Sequence, residues 1–207
     1  MIELNNVSKR FGTKEVLKHV SLTIPTNSIY GIKGRSGSGK TTILNIMGLI
    51  EKADEGFVNY EGEIIKTNKQ IMNKLKYENS FIFQNFGLID DETAFDNCSV
   101  IYPFRKFSKK QQREQVETVL EKLGIKECID KKVYELSGGE QQRVALAKAM
   151  LKKSKYIFAD EPTASLDNEN KWKVLNILKQ FRSEGSTVIL VSHDDEVLSI
   201  CDHIFML

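Results

Sequence analysis

The chain is 207 residues long, 41% hydrophobic and 28% charged, with 30 lysines and arginines against 28 acids for a net charge of +2. That length gives one large domain or two small ones and buries roughly 70% of its surface, so neither disulfides nor a structural metal is needed to hold it together. The near-neutral balance gives no electrostatic case for nucleic acid or anionic lipid as a partner, and the composition is that of an ordinary soluble globular protein.

The first part reads as short strands and turns, with apolar runs at 2–4, 20–24 and 29–32. The third run leads into Gly34, Arg35, Ser36, Gly37, Ser38, Gly39, Lys40 and Thr41, which spell G-x-x-x-x-G-K-T. A glycine-rich turn lets successive backbone N–H groups converge on the oxygens of a triphosphate, because glycine tolerates the required dihedrals and leaves no side chain in the way. A helix starting at Lys40, with Ile43, Leu44, Ile46 and Met47 at helical spacing, adds its positive N-terminal end. Lys40 is expected to reach the β- and γ-phosphates and the Thr41 hydroxyl to bind Mg²⁺. The strand before and the helix after distinguish this pattern from a plain Gly/Ser loop.

Strands at 57–60 and 81–83 follow, and then the chain turns helical. Ser108 and Gln111 make a capping-box signal, Val116, Val119, Leu120 and Leu123 fall at i, i+3, i+4 and i+7, and Gly124 stops the helix. Residues 136–143, Leu-Ser-Gly-Gly-Glu-Gln-Gln-Arg, set Ser137, Gly138 and Gly139 at the start of a second helix over 140–151, with Val144, Leu146, Ala147 and Met150 apolar. This is a second anion-binding helix start, with the Ser137 hydroxyl as an extra donor.

The last part alternates again: a strand at 156–159, a helix at 168–182 with Val174, Leu175, Leu178 and Phe181 on one face, a strand at 187–191, a short helix at 195–200 and a strand at 203–207. Such alternation implies a parallel sheet covered on both faces, with the helical middle inserted into it. Asp160 and Glu161 end the run at 156–159, and a carboxylate at the carboxyl end of a parallel strand faces the crevice where ligands bind. Asp160 is placed to hold Mg²⁺, through water. Glu161 is placed to polarise the water that attacks the γ-phosphate, a general-base role worth on the order of 10²–10⁴ in rate. Two phosphate-binding helix starts with one set of acids make sense if each nucleotide is sandwiched between two copies. Trp172 is expected to pack in the core. Cys98, Cys128 and Cys201 are scattered, without a C-x-x-C, and are expected to be reduced, partly buried thiols. No stretch approaches the roughly 20 apolar residues that span a bilayer, and residues 1–6 have no signal-peptide character. Any membrane role is therefore expected to come through a separate chain.

Taken together, these motifs resemble the nucleotide-binding subunit of an ATP-binding cassette (ABC) transporter over essentially the whole length: Walker A at 34–41, the family signature at 136–140, and Walker B at 156–160 followed by Glu161. The resemblance implies an α/β fold of the P-loop NTPase type. It has a mostly parallel core sheet, an N-terminal antiparallel β subdomain and an inserted helical subdomain, in one domain over 1–207 (core and β subdomain at 1–84 and 152–207, helical subdomain at 85–151). It also implies ATP and Mg²⁺ as ligands. Gln84 matches the Q-loop glutamine that touches Mg²⁺ and reports nucleotide state, and residues 165–167, Ser-Leu-Asp, match the D-loop, with Ser165 where the family more often has Ala. His193 matches the switch histidine that holds the γ-phosphate and orients Glu161. Phe11 matches the aromatic that stacks on adenine, usually Tyr in the family, and Thr42 lies by the α-phosphate. Ser137, Gly138, Gly139 and Glu140 would meet the nucleotide of the opposite copy. Residues 44–48, 81–86, 93–97 and 136–143 resemble the branch serving lipoprotein release, macrolide export and antimicrobial-peptide or bacteriocin export. The implied partners are a second copy in an ATP-sandwich dimer and an integral membrane permease on a separate chain, which would hold the protein at the cytoplasmic face. Phe86, Leu88 and Ile89, within 84–90, either form part of a groove for a cytoplasmic helix of that partner or pack between subdomains. The alternative function is a non-transporting ATPase that transmits force to a membrane partner, such as a cell-division regulator. An ATP-binding module without turnover is disfavoured by intact Glu161 and His193.

Overall fold

A computed structural model describes residues 1–102, 107–164 and 166–207; the expectation for Ser165 falls outside the described residues. Strand β1 (Ile2–Phe11) turns through Gly12, at φ +59°, into β2 (Lys14–Ile24), and the two pair antiparallel from Ile2↔Ile24 to Phe11↔Lys14. Strand β4 (Glu55–Tyr60) pairs with the other edge of β1, and the short β5 (Glu63–Ile64) completes a sheet of order β2-β1-β4-β5. Both long strands outrun the apolar runs expected at 2–4 and 20–24. Register shifts between Leu4 and Val7 and between Val7 and Lys9 break the two-residue alternation that marks a strand in sequence.

The second sheet has the order β6-β7-β8-β3-β9, with every pair parallel: β6 (Asn79–Ile82), β7 (Tyr156–Asp160), β8 (Thr187–Val191), β3 (Ile29–Lys33) and β9 (His203–Met206). Strands β7 and β8 are buried at every position, as a sheet covered on both faces requires. On one face, Ile43, Leu44, Ile46 and Met47 of α1 (Lys40–Met47) join one core cluster with Ile2, Leu4 and Val58 of the antiparallel sheet and Tyr156, Phe158 and Ile189 of the parallel one. A buried polar knot locks this junction: the Tyr60 hydroxyl donates to the Met47 carbonyl at 2.6 Å, and Asn79 Nδ2 donates to the Gly48 carbonyl (3.1 Å) and to the Tyr60 oxygen (3.0 Å). On the other face, Val174, Leu175, Leu178 and Phe181 of α6 (Asn168–Ser183) cover Ile157, Val188 and Leu190.

The helical middle has its own core, built by α3 (Ala94–Ser99), α4 (Lys109–Lys122) and α5 (Gly138–Lys152) around Cys98, Val116, Leu120, Val144 and Ala147. The Ser108–Gln111 capping box forms as the sequence predicts, and Gly124 takes φ +68° past the helix end. Two α-helices and the short strand β5 were not expected: α2 (Asn68–Asn73), which runs into a π-helical turn at Lys74–Glu78, and α3. Trp172 is not in the core. It is 40% exposed on α6, off the buried stripe, with the Lys179 ammonium 5.9 Å from its ring centroid. The helix at 195–200 shortens to α7 (Asp195–Leu198). No helix among the described residues is long and apolar enough to cross a membrane.

Candidate functional site

The carboxyl ends of four parallel strands open on one cleft. Strand β3 feeds the loop 34–39 into α1, β7 ends at Asp160, β8 is followed by Ser192 and His193, and β6 is followed by Gln84. A cavity of about 690 Å³ there is lined by Phe11, Gly34, Arg35, Ser36, Gly37, Gly39, Lys40, Thr41, Thr42, Gln84, Asp160, Glu161 and His193. Val16 and Ala164 also line it, and neither carries a signal in the sequence. Phe11 is 51% exposed at the end of β1, an aromatic face at the rim of the cavity.

Lys40 is buried, and its ammonium donates to the Gly34 and Arg35 carbonyls, both at 3.0 Å. It thereby closes the loop on itself and keeps the cation at the loop's centre. Ser38, expected among the lining residues, turns inward instead. Its buried hydroxyl has no hydrogen-bond partner, and a Cβ added to Gly34 would sit 2.6 Å from it. Gly39 caps α1 at φ +98°, and a Cβ there would come within 2.9 Å of Val16; Gly34 is fixed by space, and Gly39 by space as well as by dihedral angle.

The Thr41 hydroxyl donates to Asp160 Oδ2 at 2.8 Å, while Asp160 Oδ1 is buried without a partner. Burial pushes the Asp160 carboxyl above the ordinary aspartate value, the Thr41 hydroxyl opposes this, and the neighbouring Glu161 adds to it. A carboxylate with an orphaned buried oxygen beside a threonine hydroxyl is a donor set of the hard, all-oxygen kind that Mg²⁺ takes. The residues present therefore fit the ion.

Glu161 stands on the other side of that carboxylate at φ +44°, a left-handed conformation unusual for a residue with a side chain. Its N–H donates to the Val191 carbonyl at 3.0 Å. Its Oε1 accepts from His193 Nδ1 at 2.8 Å and its Oε2 from the Ser192 hydroxyl at 3.3 Å. Ser192 is buried and was not singled out in the sequence; its position between an apolar strand and His193 was the available signal.

Ser137, Gly138, Gly139 and Glu140 do not join this cleft. They form the start of α5 in a complete capping box. The Ser137 hydroxyl accepts from the Glu140 N–H (3.4 Å) and donates to Glu140 Oε2 (2.6 Å), and the Ser137 N–H donates to the same oxygen at 2.7 Å. The hydroxyl expected as a free phosphate donor is thus turned back on its own helix. The Ser137 donors, with the Cys128 thiol at 3.2 Å from Oε1, hold the Glu140 carboxyl down to about 2. Gly138 has open space where a Cβ would stand, so the bare backbone of this helix start faces outward.

Comparison with known proteins bears on the family and the fold. The ABC transporter family matches residues 17–164. An ABC transporter ATP-binding protein of Bacillus subtilis, YvrO, whose function is uncharacterized, is 36% identical over 208 residues, covering 98% of this chain and 91% of that protein. The lipoprotein-releasing system ATP-binding protein LolD of Aquifex aeolicus is 38% identical over 204 residues, covering 97% and 90%. The macrolide export ATP-binding/permease protein MacB of Pasteurella multocida is 34% identical over 210 residues, and there this chain spans 99% of itself but only 32% of the relative. Among solved structures, a dimeric post-hydrolysis state of the ATP-binding cassette MJ0796 bound to ADP and Pi superposes with a TM-score of 0.93 at 32% identity, covering 100% of this chain and 94% of that one.

Proposed function

The chain belongs to the ABC transporter family, and from that premise we propose that it is the ATP-binding and hydrolysing subunit of an export complex, working as a pair of copies that close on two ATP molecules. The observation that carries the reading is the single cleft joining the 34–41 loop, Asp160, Glu161, Gln84 and His193, with the Ser137 helix start facing outward from it. In this reading the backbone N–H groups of the loop and the N-terminal end of α1 hold the β- and γ-phosphates. The Lys40 ammonium exchanges its two carbonyl partners for phosphate oxygens, and Phe11 offers its ring to adenine. Thr41, Asp160 and Gln84 would hold Mg²⁺, which when bound would supply positive charge to the phosphates during phosphoryl transfer. Glu161 takes a proton from the attacking water, and His193 and Ser192 hold its carboxylate in place. His193, with its side chain 71% exposed, is free to reach the γ-phosphate as well. The outward-facing Ser137, Gly138 and Gly139 complete the site of the second copy, with Glu140 bracing the serine. The dimeric state of the similar cassette supports this pairing.

LolD and MacB are named for lipoprotein release and macrolide export. That likeness supports a lipoprotein or a drug as cargo and a permease that holds this subunit at the membrane; a peptide or bacteriocin as cargo, and a permease on a separate chain, are the proposal's own extension. In the 84–90 segment Leu88 packs against the helical core, while Ile89 is 56% exposed and open to a helix of the permease. A neighbouring apolar groove of about 310 Å³, lined by Met72, Leu75, Phe81, Phe83, Val100 and Ile101, is the surface proposed to grip the permease. The test is co-purification of the Glu161→Gln protein, loaded with ATP, from detergent-solubilised native membranes. A polytopic partner with a large extracytoplasmic domain supports export. A cell-wall hydrolase regulator, or soluble proteins alone, keeps the ATPase and removes the transport role.

A further inference from the structure

The loop that carries His193 has an unusual charge problem. Asp194, Asp195 and Glu196 are three successive acids at the start of a helix of only four residues. Asp194 caps that helix, its Oδ1 accepting from the Glu196 N–H at 2.8 Å. Three adjacent carboxylates repel one another, and the loop's position depends on what neutralises them. Two lysines from other elements do so. Lys33, at the end of β3, pairs with Asp195, whose side chain is 83% exposed. Lys171, in the first turn of α6, reaches across to two of the three: its ammonium lies 2.7 Å from Asp194 Oδ2 and 2.5 Å from Glu196 Oε2. The Lys171 side chain is only 12% exposed, while Asp194 and Glu196 are 35% and 42% exposed, so the stem of the lysine is packed and its ammonium meets carboxylates that still face water.

From Asp194 a short chain of hydrogen bonds runs to the acid of the cleft. The Asp194 N–H donates to the Ser192 hydroxyl at 3.1 Å, and that hydroxyl donates to Glu161 Oε2 at 3.3 Å. His193 sits between these two anchors. Its ring is largely exposed, so packing does not fix it, yet its Nδ1 meets Glu161 Oε1 at 2.8 Å. Both oxygens of Glu161 are therefore held by one loop, and that loop is pinned to α6 at one side chain.

We infer that Lys171 is a positioning residue for hydrolysis: by binding Asp194 and Glu196 together it holds the 192–194 loop so that Ser192 and His193 fix both oxygens of Glu161. It touches neither nucleotide nor water. The inference rests on the reading of Glu161 as the group that activates water. Lys171→Met removes the charge and keeps the length. It is expected to lower kcat about tenfold, since small misplacements of a reacting group carry penalties of this size, with the KM for ATP and the melting temperature nearly unchanged. Lys171→Arg, able to pair with both carboxylates, is expected to restore at least about half of kcat. Because Lys171 and Ser192 act along one path, Lys171→Met combined with Ser192→Ala is expected to be no slower than the slower single variant. A wild-type kcat in Lys171→Met, a parallel rise in KM, failure of Lys171→Arg to restore activity, or losses that multiply in the double variant would each overturn the inference. Glu161→Gln measured alongside separates the two readings. If it still turns over, the reading of Glu161 fails and this inference falls with it. If it is inactive while Lys171→Met is normal, only the role of Lys171 fails.

Discussion

Glu161 combines a left-handed backbone with the proposed role of activating water. Its φ of +44° is a conformation that costs an ordinary residue about 1–2 kcal/mol, and the Val191, Ser192 and His193 contacts hold it there. Replacing the carboxylate by an amide keeps these contacts in shape and removes the base. Glu161→Gln is therefore expected to reduce steady-state ATP hydrolysis by at least about 10²-fold while ATP still binds, as read by phosphate release and a nucleotide titration. Lys40→Ala is expected to act the other way round, weakening ATP affinity first, and native affinity in a titration would remove Lys40 from the site. Phe11 is half exposed on β1. Phe11→Ala is expected to leave the melting temperature in place and to raise the Kd for ATP, whereas Phe11→Tyr keeps the ring and the affinity. An unchanged Kd in Phe11→Ala would take adenine stacking away from it. At this scale most of the cleft was legible in the sequence, because loop, lysine and threonine are contiguous and the two acids sit next to each other. Ser38 and Ser192 were less so: Ser38 turns inward, which its spacing does not encode, and Ser192 makes its contact across 31 positions, so that its place beside His193 was the one local signal.

The capping box at the start of α5 ties stability to pH through one carboxyl. Glu140 is held down to about 2 by the Ser137 donors. A depressed carboxyl stabilises the fold above its unfolded value, and that contribution is lost as pH falls toward the folded value. Melting temperature in the native protein is thus expected to fall more steeply with acidification below about pH 4.5 than in Glu140→Gln, whose amide oxygen still accepts from Ser137 but does not titrate. Equal slopes in thermal melts across that range would show that the box contributes nothing. Elements of this kind vary in how plainly they can be read. Helices α4 and α6 show an apolar stripe and a capping residue in the sequence. Helix α2 buries no side chain at all, so no periodicity exists to find, and only its Thr67–Gln70 box marked it. Trp172 misled for the opposite reason, since its size suggests burial while its position on α6 faces water. Strand β1 was under-read because its register shifts put polar residues where alternation would place apolar ones.

In the whole molecule, the two helix starts read as phosphate-binding do not share a cleft, and one chain alone brings only the α1 start to it. Light scattering is expected to show Glu161→Gln as a dimer with ATP and Mg²⁺ and as a monomer with ADP. Ser137→Arg, placing a bulky cation on the outward helix start, is expected to block that dimer while ATP still binds its own loop. A Ser137→Arg dimer of normal strength would rule out this surface as the closing face. The parallel sheet, its crossover helices and the helical insertion followed from strand–helix alternation, whereas the knot of Tyr60, Asn79 and Met47 that joins the two sheets depends on residues far apart in the chain and became visible only in three dimensions.

The outward orientation of Ser137 also sets the arithmetic of mixed populations. In the two-copy reading, when native copies and Ser137→Ala copies, whose small side chain leaves the closing face open, pair at random, each nucleotide site would draw its loop from one member and its residue 137 from the other, so a mixed pair would hold one intact site and one spoiled site. If the two sites work independently, activity falls in proportion to the native fraction. If each requires the other, it falls as the square of that fraction, and half a dose of the variant removes three-quarters of the output, a dominance that a geneticist would see before any crystallographer did.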